Sequence, residues 1–149
     1  MKSIILYETK AGTTKKCADY ILKSNEAELS LITGFKEDLN NYENIILMTP
    51  VYMGKVNKKF KELITAKKDI LMTKRVILVF VGMNPQAFDS MVGQNVDTDL
   101  KDHAEIVNAG GAYILEKLNF IEKRILKSVA KVTQSSEHIK YENLDKVKI

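Results

Sequence analysis

The sequence predicts an α/β fold, a parallel sheet with helices packed on both of its faces. Two observations lead there. Short apolar runs alternate along the chain with stretches whose apolar residues recur at spacings of three and four. Several of the runs are also continuously apolar, as in strands buried on both faces, and strands joined by crossovers pair in parallel.

The strand candidates, in order, are Ile4-Ile5-Leu6-Tyr7, Leu29-Ser30-Leu31, Ile45 to Met48, Val76 to Val81 and Ala104 to Ala109. After the first, Cys17, Ala18, Ile21 and Leu22 share one face of a helix. After the third, Val56, Phe60, Leu63 and Ile64 share another. Two connections carry weaker patterns. Phe35 to Asn40 is barely one helical turn, and Pro85 to Asp102 reads as loop with one short helix. No repeat, linker or low-complexity stretch divides the chain, so residues 1–149 read as one domain.

The composition narrows the chemistry. With 149 residues, 45% of them hydrophobic and 28% charged, the chain can bury a core without disulfides or a structural metal. One cysteine cannot form an intrachain bridge, and two histidines with one cysteine are too few soft ligands for a zinc or iron–sulfur site. Redox chemistry would therefore require an organic cofactor. Cys17 shares the inward helix face and reads as a buried, inert thiol. His103 and His138 read as surface residues, so no catalytic side chain is assigned. No apolar stretch is long enough to span a bilayer and no signal-peptide pattern opens the chain, which points to a cytoplasmic protein. The net charge of +4 is too small to imply nucleic-acid binding.

In open parallel sheets, ligands bind beyond the carboxyl ends of the strands, where the strand order reverses. After the first strand comes Thr9-Lys10-Ala11-Gly12-Thr13-Thr14, leading into a helix. Gly12 permits a tight turn, the hydroxyls can donate to phosphate oxygens, and the helix start adds unpaired N–H groups. That describes a monophosphate cradle. It is neither a dinucleotide fingerprint nor a Walker loop. The same residues would serve as an ordinary turn and N-cap, and this loop alone does not choose between the two. After the third strand comes Thr49-Pro50-Val51-Tyr52-Met53-Gly54-Lys55. Pro50 stiffens the strand end, Tyr52 offers a flat face with a polar tip, and Gly54 allows a peptide orientation that a side chain would hinder. Such a loop suits a planar heterocycle, or simply turns the strand into a helix. Gly82-Met83-Asn84 could lie on the other side of the same ring.

The pairing of T-x-x-G-T-T after strand one with T-P-V-Y-M-G after strand three resembles the flavodoxin family. The resemblance implies a flavodoxin-like three-layer sandwich with a five-stranded parallel sheet in order 2-1-3-4-5, and FMN as cofactor. It implies that Thr9, Lys10, Ala11, Gly12, Thr13 and Thr14 hold the FMN phosphate. Pro50, Val51, Tyr52, Met53 and Gly54 would flank the isoalloxazine, with Gly82, Met83 and Asn84 on its far side. The Met53–Gly54 peptide would reorient on reduction, its carbonyl accepting a hydrogen bond from N5. The stretch Gly110-Gly111-Ala112-Tyr113, with 117–123 and 129–132 beyond it, resembles the branch containing menaquinone-dependent protoporphyrinogen dehydrogenases. The sequence departs from the electron-carrier flavodoxins in Ala11, in lacking tryptophan and in being basic.

Leu118, Ile121, Ile125, Val129 and Val132 form an apolar stripe over a stretch, Lys117 to Lys131, that holds five basic residues and one acidic one. The remainder of the chain balances at 18 against 18. The stretch could pack on the sheet as a last crossover helix or lie on an anionic membrane surface. In the branch it resembles, it is an insertion after strand five, and Tyr141 to Ile149 would be a shortened final helix.

Three functions follow as expectations. The first is an FMN-dependent oxidoreductase of the protoporphyrinogen dehydrogenase type, moving electrons from a porphyrinogen-type substrate to a quinone at the inner face of the membrane. The second is a one-electron carrier between redox partner proteins. The third is a non-redox binding module that has lost its flavin.

Overall fold

A computed structural model describes residues 2–82, 87–113 and 136–149. It opens with β1 (Ser3–Tyr7), α1 (Thr13–Leu22), β2 (Glu28–Leu31), a 3₁₀ turn at Leu39–Asn41 and β3 (Asn44–Tyr52). Then follow β4 (Lys55–Val56), α2 (Lys58–Ala66), α3 (Lys68–Leu71), β5 (Arg75–Val81), α4 (Phe88–Asn95), α5 (Thr98–His103) and β6 (Glu105–Asn108). A ribbon of β7 (Gly110–Tyr113) and β8 (Ser136–Ile139) leads to α6 (Tyr141–Leu144).

Five strands run parallel in the order β2-β1-β3-β5-β6, which is the predicted 2-1-3-4-5 arrangement counted over the parallel strands. The central strands are in step, with Ile5 beside Ile46 beside Ile77 and Leu6 beside Leu47 beside Leu78. Because side chains alternate between faces, each pair of neighbouring rows feeds opposite cores. Ile4, Leu6, Leu47, Leu78 and Phe80 pack with Phe60, Ile64, Leu71, Met91 and Leu100 on one face. Ile5, Ile46, Met48, Ile77 and Val79 pack with Cys17, Ala18, Ile21, Leu144 and Val147 on the other. A continuously apolar strand therefore needs helices on both faces, and this chain supplies them.

The weak connections have specific outcomes. Phe35 to Asn40 becomes a single 3₁₀ turn at Leu39–Asn41, capped by the Asp38 side chain, which accepts from Asn40 N. The stretch 85–102 carries two short helices rather than one, of which α5 is capped by Asp97. The predicted fifth strand ends at Asn108; beyond it, Ala109 N donates to Phe80 O at 2.9 Å and the Ala109 carbonyl accepts from Lys140 N at 2.8 Å.

The ribbon docks through glycines. A Cβ on Gly111 would lie 2.9 Å from the Gly82 carbonyl carbon, and one on Gly82 would lie 3.0 Å from Val51 Cβ. Gly82 N donates to Gly110 O at 2.7 Å. The ends of β3, β5 and β7 thus approach at backbone distance. Tyr113 pairs with Ser136, so the chain between them leaves and returns at the free end of the ribbon. The basic amphipathic stretch Lys117 to Lys131 lies outside the described residues. Among those described, no helix is long and apolar enough to cross a membrane.

Candidate functional site

The sheet order reverses between β1 and β3, and their carboxyl ends mark the crevice where this architecture binds ligands. Pairing of β1 with β3 stops at Tyr7 and Met48, and β3 then continues for four residues to Tyr52. The overhang brings Tyr52 over the loop that follows β1. The Lys10 ammonium stands 4.4 Å from the centroid of the Tyr52 ring, within cation–π range. The two predicted loops are therefore in contact.

The loop after β1 is built around Gly12, whose φ of 93° lies in the left-handed region that favours glycine. Gly12 N donates to Thr9 Oγ1 at 2.9 Å, which closes the turn. Gly12 is also the N-cap of α1, and no side chain caps that helix. Its first turn carries no acidic residue, so its N–H groups and positive dipole end suit an anion. Thr14 is buried, Lys10 is exposed, and Thr9, Ala11 and Thr13 are intermediate.

The loop after β3 is a tight hairpin. Tyr52 pairs with Lys55 in β4, leaving Met53 and Gly54 as a two-residue turn. Both have positive φ, 53° and 76°, which makes a type I′ turn. Glycine is at home in that conformation and methionine is not, so Met53 carries backbone strain. Its side chain is nevertheless 49% exposed.

A residue with no local sequence signal holds this hairpin. Asn95, the last residue of α4, donates through Nδ2 to Gly54 O at 2.9 Å and to Met91 O at 2.7 Å. Its Oδ1 accepts from Val56 N at 3.4 Å, and the Lys61 ammonium donates to its carbonyl. Thr49 works from the other side: its Oγ1 accepts from Asn57 N at 3.0 Å, and the Asn57 side chain caps α2 by accepting from Lys59 N and Phe60 N. The turn is fixed at both of its feet.

The Tyr52 hydroxyl is buried without a hydrogen-bond partner, the only such side-chain atom found among the described residues. An unsatisfied buried hydroxyl costs about 1–3 kcal/mol. Such a cost points to a site rather than to a plain turn. Of the remaining predicted residues, Pro50 and Val51 lie on β3, and Gly82 lies between Val51 and Gly111. That position explains the missing side chain of Gly82 by strand packing. Met83 and Asn84 lie outside the described residues.

Other candidates fall away from this edge. Cys17 is fully buried, and burial pushes its thiol up to about 12. His103 and His138 are exposed, as expected. Among the described residues, no group of three or more His, Cys, Asp or Glu could hold a metal ion. A cavity of about 360 Å³ lined by Lys61, Thr65, Lys68 and Asp97 includes none of the loop residues. Its cations are engaged, Lys68 with Asp97 at 2.7 Å and Asp99 at 3.3 Å.

The sequence from residue 4 to residue 140 matches the family described as Flavodoxin domain. The chain belongs to that flavodoxin domain family. No curated protein is significantly similar to it in sequence. Among solved structures, this flavodoxin domain resembles a flavoprotein from Lactobacillus acidophilus NCFM crystallised in complex with FMN. The two are 22% identical with a TM-score of 0.55, over 74% of this chain and 92% of that one. Oxidised flavodoxin 2 from Bacillus cereus is 23% identical with a TM-score of 0.51, over 74% and 82% of the two chains. Rubredoxin oxygen:oxidoreductase from Desulfovibrio gigas is 12% identical with a TM-score of 0.53; the match spans 87% of this chain and 34% of that larger one. These likenesses establish the flavodoxin-like fold.

Proposed function

We propose that this flavodoxin domain binds FMN at the β1/β3 edge and carries electrons between redox partner proteins. The reading rests chiefly on the contact between the two loops: an uncapped helix start on one side and, on the other, an aromatic ring with a buried, unpartnered hydroxyl. Family membership supports it. FMN supplies one- and two-electron chemistry when bound. In this reading Thr9 to Thr14 hold the phosphate, Pro50 to Gly54 flank the ring system, and Gly82, Met83 and Asn84 approach it from the far side.

The test is spectroscopic. The purified chain, titrated with FMN, is expected to take up one equivalent and to bind riboflavin, which lacks the phosphate, at least tenfold more weakly. Equal affinity for the two would remove the phosphate loop from the reading. A protein that takes up no flavin would leave the non-redox binding module.

The turn gives the protein a means of setting flavin potentials. Reorienting the Met53–Gly54 peptide converts a type I′ turn into type II′, in which the first position keeps positive φ and the second does not. Glycine is the usual first residue of type II′, and here Met53 stands there. The cost of reorientation therefore falls on Met53, while Gly54→Ala favours the reoriented form. That variant is expected to change both one-electron potentials; unchanged potentials would sink the idea.

A finer reading has one observation in its favour. Residues 114–135 depart from and rejoin a ribbon rooted on Gly82, beside the proposed flavin loops. In that reading the basic stretch Lys117 to Lys131 brings the domain to the anionic cytoplasmic face of a membrane, where a porphyrinogen-type substrate is oxidised and a quinone reduced. Protoporphyrinogen oxidation with a menaquinone analogue, with and without anionic liposomes, tests it. Absence of turnover in both, with rapid exchange between the flavin and a reductase, would leave only the carrier role.

A further inference from the structure

Reorienting the Met53–Gly54 peptide makes a specific mechanical demand. Between type I′ and type II′ only ψ of the first turn residue and φ of the second change, while φ of the first and ψ of the second keep their values. One peptide therefore rotates, and the groups on either side of it stay in place. A turn that works in this way needs a fixed frame. Asn95 grips the frame at two points just beyond the rotating peptide. Its Nδ2 donates to Gly54 O, on the first peptide past it, and its Oδ1 accepts from Val56 N, on the second. Neither atom belongs to the peptide that turns.

Asn95 is itself firmly carried. It ends α4, whose Met91 and Val92 are buried in the core of one sheet face and whose Phe88 packs edge-on against Phe80, with ring centroids 5.9 Å apart. The third bond of its amide returns to Met91 O at 2.7 Å, and the Lys61 ammonium on α2 donates to its carbonyl. Two helices seated on the sheet thus hold the amide from behind. Asn25 makes the same set of bonds elsewhere: it donates to Ile21 O at 2.9 Å and to Val147 O at 3.0 Å, and accepts from Ile149 N at 3.0 Å. It lies between α1 and the start of β2, at the amino ends of the strands and away from the loops.

We infer that Asn95 is a positioning residue for flavin reduction: it holds the turn so that the reoriented Met53 carbonyl can accept from N5, and so raises the potential for the first electron. The inference rests on the FMN reading. Its logic is differential. That carbonyl bonds N5 only in the reduced form, so the accuracy Asn95 supplies counts mainly after reduction, and only an interaction that differs between two states shifts their equilibrium.

Asn95→Ala and Asn25→Ala remove matching bonds at opposite ends of the sheet and are expected to lose similar stability. Redox titration of the FMN-loaded variants separates a positioning role from a structural one. Asn95→Ala should make uptake of the first electron about tenfold less favourable, a potential about 59 mV more negative. Asn25→Ala should leave that potential at the parent's value. A second readout needs no flavin. In the FMN-free chain, Asn95→Ala should speed hydrogen exchange at Val56 N about tenfold, because that N–H loses its partner, and Asn25→Ala should not. An unchanged first potential in FMN-loaded Asn95→Ala would overturn the inference, as would an equal shift in both variants or unaltered exchange at Val56 N. Each of these would leave the cofactor in place. A parent chain that takes up no FMN would instead refute the cofactor reading, and the positioning role with it.

Discussion

Asn95 shows how one side chain can organise a site from outside it. Its amide serves Gly54 O and Val56 N, so it fixes both the carbonyl that follows the turn and the strand that leaves it. Asn95→Ala removes these two bonds and the one to Met91 O, and is expected to cost about 1 kcal/mol of stability in denaturant titration. Transmitted to the proposed flavin contact, the same loss corresponds to about fivefold weaker FMN binding. Cys17 answers to a different force. Burial raises its folded-state pKa from an ordinary 9.0 to about 12, with the nearby Glu137 charge acting in the same direction. The unfolded state therefore releases its proton first, and stability is expected to fall as pH rises from about 9 towards 12. Equilibrium unfolding across that range should show a shallower decline for Cys17→Ala, and a thiol reagent at pH 8 should not label the native chain. Neither residue was equally legible. The helical spacing of Cys17 with Ala18 and Ile21 announces its burial, whereas Asn95 acts across 41 residues of sequence, and no local pattern encodes such a bond.

At the scale of elements, the parallel strands were readable because their apolar runs are imposed by two cores at once. The hydrophobic faces of α1 and α2 were readable for the same reason. What escaped was the structure made by backbone contact. β7 is Gly-Gly-Ala-Tyr and β8 is Ser-Glu-His-Ile, both poor in the β-branched and aromatic pattern that marks a strand. Their position is set by the absence of side chains at Gly82, Gly110 and Gly111. The hairpin at Met53–Gly54 escaped likewise, because a two-residue β4 has too little length for alternation to register. The ribbon provides the element-scale prediction. Gly111 has no positive φ to protect, so Gly111→Ala acts through sterics alone, with a Cβ 2.9 Å from the Gly82 backbone. Overpacking of this kind costs about 1–3 kcal/mol. Hydrogen exchange should show that loss concentrated at Gly82 N, which donates to Gly110 O, and along β7. Gly54→Ala, with nothing within 4 Å of the added Cβ, should leave that protection intact.

The whole molecule divides its labour between a sheet closed on both faces and an edge where the loops meet. Among the described residues, the last members of the two core clusters, Leu144 and Val147, follow the ribbon. The C-terminal segment is tied back to α1: the Tyr20 hydroxyl donates to Asp145 at 2.6 Å, and Asn25 donates to Val147 O and accepts from Ile149 N. These contacts anchor the segment that follows β8, and the bond from Gly82 N to Gly110 O anchors the start of β7. Since Tyr113 and Ser136 are already paired, a two-residue turn is enough to join them. Replacing residues 114–135 by Asn-Gly is therefore expected to give a folded domain with FMN affinity within about threefold of the parent, a shift of less than about 0.7 kcal/mol. The same variant should lose all binding to anionic liposomes in co-sedimentation. Loss of FMN affinity together with cooperative unfolding would assign the replaced residues to the fold. Retained liposome binding would instead move membrane recognition onto the lysines of the hairpin and the start of α2.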